Sequence, residues 1–186
     1  MYAMLTDALS TIIMRHLGFS PSADQLRAIG AFSSFMTDRS DRVAMVMRGS
    51  AGTGKTTLAA AIVKALSELR WRMVLLAPTG RAAKVFALGA GRAAFTIHRR
   101  IYRQKSLRAD MGGFSLADNL HSDTLFIVDE ASMIANGAAG EAAFGSGCLL
   151  DDLVHYVYGG RNCRLLLIGD RAQLPPVGEA ESPALQ

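Results

Sequence analysis

The stretch that decides the fold is Gly49-Ser50-Ala51-Gly52-Thr53-Gly54-Lys55-Thr56. It matches the pattern G-x-x-x-x-G-K-T and lies between an apolar run that predicts a strand and a segment that predicts a helix. Glycines suit such a loop because backbone N–H groups close around phosphate oxygens, where a side chain would intrude. We expect it to bind a nucleoside triphosphate, with Lys55 at the β- and γ-phosphates and the Thr56 hydroxyl on Mg²⁺. A chance glycine-rich turn is the weaker alternative, since it leaves the Lys-Thr pair unexplained.

Strands and helices alternate on both sides of this loop. Apolar runs predict strands at 43–47, 73–77, 124–128 and 164–168. Helical spacing predicts helices at 6–17, at 55–69, at 80–88, near 96–103, at 149–158, and after the cap Ser20-Pro21-Ser22. This alternation predicts an α/β fold with a mainly parallel sheet flanked by helices on both faces, and the phosphate loop makes that fold one of the P-loop NTPase type.

Composition limits the kind of protein this is. The chain has 186 residues, of which 50% are hydrophobic and 19% charged, which suits one globular domain with room for a second small one. Its longest apolar runs have strand length, so we expect no membrane partner. The N-terminus lacks the pattern of a secretion signal, and the two cysteines suit a reducing compartment and are too few for a structural zinc site. We therefore expect a cytoplasmic protein.

Positive charge is concentrated in one part of the chain. The net charge is only +4, yet no Asp or Glu occurs from Leu69 to Ala109. The cations in that acid-free stretch are Arg70, Arg72, Arg81, Lys84, Arg92, Arg99, Arg100, Arg103, Lys105 and Arg108. Such a stretch indicates a surface for nucleic-acid phosphates, and a solvated helix face is the alternative.

An apolar strand ends in two carboxylates at Leu125-Phe126-Ile127-Val128-Asp129-Glu130. We expect Asp129 to hold Mg²⁺ through water and Glu130 to polarise the attacking water as general base. By itself this segment would be an ordinary solvated strand end. The phosphate loop upstream makes the catalytic interpretation the better one.

A second strand ending in an acid, Leu165-Leu166-Leu167-Ile168-Gly169-Asp170, runs into Arg171-Ala172-Gln173-Leu174-Pro175-Pro176-Val177-Gly178. Because parallel strands align their carboxyl ends beside a ligand, Asp170 and Gln173 are expected to face the γ-phosphate. Glutamine can hydrogen-bond phosphate and water without adding charge. A rigid surface turn explains the proline-rich part equally well.

Taken in order, these segments resemble the first RecA-like motor domain of the superfamily 1 helicases, closest to the RecD-like branch. Gln25 resembles the glutamine that reads adenine, and Gly49 to Thr57 resembles motif I, which adds Thr57 to the nucleotide contacts. The other matching segments are Ala77 to Lys84 (motif Ia), Thr96 to Arg99 (a short DNA-contacting motif), Val128 to Met133 (motif II) and Gly169 to Val177 (motif III). The resemblance covers about residues 22–180.

The resemblance implies single-stranded DNA as a partner and places its contacts within the acid-free stretch. The implied DNA-binding residues are Pro78, Thr79, Gly80 and Arg81, followed by Thr96, His98 and Arg99. Backbone amides, hydroxyls and guanidinium groups at such positions bind phosphates without reading sequence. A packing role for His98 remains the alternative.

The resemblance also implies a domain organisation. We expect an N-terminal helix at 1–19, the RecA-like ATPase domain at 20–182, and a small duplex-splitting hairpin within 104–122, where Phe114 is a wedge tip or, as we favour, an anchoring aromatic. The chain ends at Gln186, just after motif III. We expect a second RecA-like domain of a longer protein to supply an arginine that stabilises charge on the transferred phosphoryl group.

The leading prediction is an ATP-dependent DNA helicase motor that translocates 5′ to 3′, the polarity being implied by the resemblance. A nucleotide-gated DNA-binding module without turnover is the second hypothesis. A P-loop phosphotransferase is the third, but two adjacent carboxylates together with Gln173 suit activation of water better than activation of a bound acceptor.

Overall fold

The computed structural model describes residues 2–50, 52–104, 113–134, 144–170 and 182–185. Its centre is a parallel five-stranded sheet in the order β1-β7-β6-β2-β3. The strands are β1 (Ala44–Arg48), β2 (Arg72–Ala77), β3 (Ala94–Thr96), β6 (Thr124–Val128) and β7 (Arg164–Gly169). Because both faces of a parallel sheet are covered, its strands read as continuous apolar runs, and all five residues of β6 are buried.

Six α-helices cover the sheet. They are α1 (Tyr2–Leu17), α2 (Ala23–Thr37), α3 (Lys55–Glu68), α4 (Gly80–Ala90), α5 (Ile97–Ile101) and α6 (Leu149–Gly159) in the described part of the chain. Alternate residues of β6 enter different cores: Leu125 and Ile127 pack with α1 to α4, and Phe126 and Val128 pack with α5 and α6. The predicted α/β fold with helices on both faces is therefore confirmed.

Side-chain caps fix where several helices begin. Ser22 and Gln25 form a reciprocal capping box at the start of α2, as the cap signal in the sequence predicts. Thr79 caps α4 by accepting from the N–H of Ala82, and Thr96 caps α5 by accepting from the N–H of Arg99. These caps keep the segments after β2 and β3 in fixed positions.

Helix α1 packs against α2 and α3 rather than standing apart. Leu9, Ile13 and Leu17 are buried in the core that contains α3. Arg15 and His16 both contact Glu68 at the end of α3, at 2.5 Å and 2.8 Å. The helix expected at 1–19 thus shares one core with the elements that follow it.

The stretch after β3 differs from its predicted form. The helix expected near 96–103 is the short α5, and the chain becomes extended again at β4 (Tyr102–Gln104). Strand β4 pairs antiparallel with β5 (Phe114–Leu116). No described helix is long and apolar enough to cross a membrane.

Candidate functional site at the carboxyl edge of the sheet

The phosphate loop joins β1 to α3, and its described residues surround the Lys55 side chain. Gly52 and Gly54 both have φ of +79°, a left-handed backbone that favours glycine. The Lys55 Nζ donates to the carbonyl oxygens of Gly49 and Ser50, at 2.5 Å and 2.7 Å. Thr56 and Thr57 follow in the first turn of α3 and are exposed. Ala51 lies outside the described residues.

Strand β7 lies between β1 and β6 and brings an acid to the loop. Asp170 directly follows β7, and its Oδ2 lies 3.5 Å from the Lys55 Nζ. The loop is also fixed through the backbone, because the N–H of Gly49 donates to the carbonyl of Gly169 at 3.3 Å. Gln173, predicted beside Asp170, lies outside the described residues.

Asp129 and Glu130 occupy the end of the next strand, β6. Burial raises the pKa of the Asp129 carboxyl above its ordinary value, and the charge of Glu130 raises it further. The N–H of Glu130, 3.0 Å from Asp129 Oδ1, and the charge of Lys55 lower the same pKa. Glu130 is half-buried, with a left-handed φ of 55° that turns the chain into a short 3₁₀ helix at Ala131–Met133. The ionised form of Asp129 is thus costly inside the protein unless a cation is near.

A cavity of about 350 Å³ joins these groups to the segment after β2. Its polar walls are Thr56, Asp129 and Glu130 on one side and Thr79 and Arg81 on the other. Hydroxyl and carboxylate oxygens are ligands that suit Mg²⁺. Among the described residues there is no cluster of three or more His, Cys, Asp or Glu side chains able to hold a metal. A metal in this cleft would therefore need phosphate oxygens in addition to Thr56 and Asp129.

The sequence prediction missed the apolar side of this cleft. Val85 and Met133 line the same cavity and are 55% and 47% exposed. Val85 lies one helical turn after Arg81, so its spacing could have indicated a shared face.

Gln25 is tied to the phosphate loop by its side chain. Its Nε2 donates to the carbonyl of Thr53 at 3.3 Å, and its Oε1 accepts from the N–H of Ser22 at 3.0 Å. Beside it lies a pocket of about 90 Å³ whose lining includes Asp24 and Arg48. One N–H and one oxygen lone pair of the Gln25 amide remain for a ligand.

The two predicted DNA-binding segments are neighbours in the sheet. Ala77, the last residue of β2, is in register with Thr96, the last residue of β3. Pro78, Thr79, Gly80 and Arg81 therefore emerge beside Thr96, His98 and Arg99, on the same edge as the phosphate loop. Arg81 and Arg99 are exposed.

His98 lies in an aromatic cluster that joins α5 to the β4-β5 hairpin. Its ring lies 5.2 Å from Phe144 and 5.7 Å from Tyr102, measured between centroids. Phe114 stacks on Phe144 at 4.6 Å, and the Tyr102 hydroxyl donates to Asp152 at 2.6 Å. This packing fits the anchoring role that we favour for Phe114 and gives His98 a packing role as well.

Arg100 belongs to the acid-free stretch but points inward. Its Nη2 donates to His121 Nε2 at 2.6 Å, and its guanidinium lies 5.6 Å from the centroid of the Phe95 ring. Burial lowers the pKa of His121, and the charge of Arg100 lowers it further. Arg100 therefore anchors α5 to His121 and Phe95 and does not add to the exposed basic surface.

The chain is a P-loop NTPase domain with the RecA-like fold. This class is defined by the phosphate loop after β1, by the acidic end of β6, and by β7, which lies between those two strands. The sequence matches the AAA domain family over residues 22–184, and the chain belongs to that family. The matches described next confirm the resemblance to the first RecA-like domain of superfamily 1 helicases of the RecD-like branch, and the chain is a helicase-type motor domain.

Two relatives and one solved structure are similar to it. The chain is 34% identical over 134 residues to the ATP-dependent RecD2 DNA helicase of Deinococcus radiodurans, covering 72% of this chain and 16% of that protein. It is 32% identical over 147 residues to an uncharacterised protein of Methanocaldococcus jannaschii, covering 72% and 11%. The fold matches the crystal structure of Pif1 helicase from Candida albicans with a TM-score of 0.52 at 22% identity, covering 90% of this chain and 37% of that one. The chain thus spans a small part of its relatives' length.

Proposed function

We propose that this chain is the ATP-hydrolysing motor domain of an ATP-dependent DNA helicase, which moves along single-stranded DNA 5′ to 3′ and unwinds duplex. The observation that carries the proposal is the cavity of about 350 Å³, whose walls include Thr56, Asp129 and Glu130 on one side and Thr79 and Arg81 on the other. A nucleotide-dependent movement in this cleft would directly shift Thr79 and Arg81, which belong to the predicted DNA-binding residues.

The proposed ATP site uses each group for one task. Lys55, already ordered against the loop carbonyls, exchanges those contacts for the β- and γ-phosphates of ATP. Thr56 and Asp129 would hold Mg²⁺, which would supply positive charge against the phosphates. Glu130 accepts the proton of the attacking water, with Asp170 and Gln173 at the γ-phosphate side. The raised pKa of Asp129 supports this assignment, because a buried carboxylate gains most from a neighbouring cation.

Gln25 selects adenine in this proposal. After its bonds to Ser22 and Thr53, its amide retains one donor and one acceptor. Adenine offers a matching acceptor and donor at N7 and N6, whereas guanine offers two acceptors on the same edge. We therefore expect ATP to bind more tightly than GTP.

The DNA partner lies along Pro78 to Arg81 and Thr96 to Arg99. The Thr79 and Thr96 hydroxyls accept backbone hydrogen bonds in their caps, which leaves each hydroxyl hydrogen free to donate to a phosphate. A second RecA-like domain of the full-length protein would close the cleft and supply the arginine for hydrolysis.

Hydrolysis is tested by measuring ATP binding and ATP turnover with and without oligo-dT. Glu130→Gln should keep ATP affinity while turnover falls by about 10²–10⁴-fold. Glu68→Gln is the matched control, because it removes an equal charge at the far end of α3, about 20 Å along the helix from the phosphate loop. Wild-type turnover by Glu130→Gln would refute the role of Glu130. ATP binding without any turnover by the full-length protein, with its second RecA-like domain present, would favour the nucleotide-gated module.

DNA binding is tested separately with labelled oligo-dT. Arg81→Ala should weaken binding and lower the slope of log affinity against log salt by about 0.7, the value for one lost single-strand phosphate contact. Arg92→Ala removes an exposed cation just beyond the other end of α4 and should leave the slope unchanged. Equal effects of the two variants would contradict a DNA site at the carboxyl edge.

A further inference from the structure

Strand β2 divides the acid-free stretch between opposite edges of the sheet. Arg81 follows its carboxyl end, whereas Arg70 and Arg72 lie at its amino end. Six residues of strand carry the chain about 20 Å. Arg70 and Arg72 therefore lie too far from the carboxyl edge to serve the DNA segment proposed there.

These two arginines line a separate cavity of about 440 Å³, which we name the amino-edge cavity. Its polar and aromatic lining includes Arg70, Trp71, Arg72, Asp123, Asn162 and Arg164. These residues lie at or just before the amino ends of β2, β6 and β7. A volume of this size is within the range of small-ligand sites, about 300–1,000 Å³.

Internal contacts hold four of these side chains as fixed walls. Arg72 donates to the Ser122 backbone carbonyl and hydroxyl, and Asn162 donates to Asp123 Oδ1 at 2.8 Å. Arg164 donates to the backbone carbonyls at the end of α2. The cavity thus has a built polar frame.

Arg70 and Trp71 are the groups left to face a ligand. Among the described residues, nothing forms a hydrogen bond or ion pair with the Arg70 guanidinium, which is exposed. Trp71, the one tryptophan of the chain, is 39% exposed. A large aromatic surface beside an unengaged guanidinium is the combination that stacks bases and binds phosphates in single strands.

The backbone around the cavity is unusual as well. Arg70, Asp123 and Asn162 have φ of 56°, 50° and 51°, the left-handed region that non-glycine residues seldom adopt. Such conformations persist where the surrounding structure holds them, and they concentrate at ligand sites. Three of them line this one cavity.

We propose that the amino-edge cavity binds a nucleotide unit of a single-stranded nucleic acid, apart from the ATP cleft. The base stacks on Trp71, the phosphate pairs with Arg70, and the Asp123 carboxylate accepts a base N–H group. This inference rests on the proposed function only for the class of ligand. A helicase motor that separates two DNA strands would have in this cavity a second site for binding one of the separated strands.

Trp71 makes the test direct, because a base stacked on the chain's single tryptophan quenches its fluorescence. Oligo-dT should quench wild-type Trp71 fluorescence, and Arg70→Asn should weaken that binding about tenfold while Asn still tolerates the left-handed backbone. Arg42→Asn is the matched control, since Arg42 is also exposed, has φ of 54° and lies outside the cavity lining. It should leave the quenching unchanged.

The outcomes separate this inference from the proposed function. Quenching that persists in Arg81→Ala supports a second site, whether or not the carboxyl edge binds DNA. Oligo-dT binding that depends on Arg81 but never quenches Trp71 overturns the inference and leaves the proposed function standing. Equal quenching by oligoglutamate of matched charge, or by free dTMP but not by oligo-dT, would also overturn it.

Discussion

Replacing Gly54 by alanine tests how the phosphate loop and Gln25 support each other. Gly52 and Gly54 share a φ of +79°, so alanine at either position carries a left-handed strain of about 1–2 kcal/mol. At Gly52 an added Cβ meets nothing within 4 Å, whereas at Gly54 it would lie 2.7 Å from Gln25 Nε2. Only Gly54→Ala must displace Gln25, and this breaks the hydrogen bond to the Thr53 carbonyl.

The expected difference follows from that bond. A net hydrogen bond contributes about 0.5–1.5 kcal/mol, so Gly54→Ala should lower the free energy of unfolding by that much more than Gly52→Ala. The assay is urea denaturation without nucleotide. In a Gln25→Ala background the obstacle is gone, so the excess cost at Gly54 should disappear. Equal costs for the two alanine variants, or an excess that survives Gln25→Ala, would refute the reasoning.

Three further predictions concern stability. The folded pKa of Asp129 lies above its ordinary 3.8, so its contribution to stability is lost as pH rises through the folded pKa, and Asp129→Asn should unfold at higher urea than wild type at neutral pH. A lower urea midpoint for Asp129→Asn than for wild type would contradict the predicted upward shift of the Asp129 pKa. The folded pKa of His121 lies below its ordinary 6.5, so its contribution is present above 6.5 and lost as pH falls below it. As the pH falls below 6.5, the thermal unfolding temperature of His121→Gln should decrease less than that of the wild type. Identical pH profiles of the two proteins would contradict this role of His121. Arg164→Met should cost about 1.5–3 kcal/mol in urea denaturation, because the carbonyls ending α2 lose a charged donor, and it should leave ATP affinity unchanged. A cost below the error of the measurement would show that water replaces the arginine.

Local patterns in the sequence predicted most of the sheet and the proximity of the residues that form the proposed ATP site. Asp129 and Asp170 each come at the end of an apolar run, and Lys55 ends the glycine-rich loop that follows another. The carboxyl ends of parallel strands meet at one edge of the sheet. The position of β7 between β1 and β6 could not be read from the sequence, because strand order depends on long-range packing. Strand β3 was missed because three residues carry too little of a repeating pattern.

Charge was harder to interpret than apolar pattern. The acid-free stretch reads as one basic surface, yet Arg100 turns inward to His121 and Arg70 lies at the opposite edge from Arg81. Neighbours in sequence separate in space whenever a strand or helix lies between them, and no local rule says which way a long side chain turns. The separation of these cations is a result of the fold.

Because α1 packs into the core, the part of the chain that folds together is longer than the part that matches the family. The family match begins at residue 22, whereas the core beside the phosphate-loop helix already includes Leu9 and Ile13. A domain excised at the family boundary would expose apolar side chains of α3 and would remove Arg15 and His16, which both contact Glu68. Recombinant versions of this domain, and fusions made from it, should therefore retain α1 as part of the hydrophobic core.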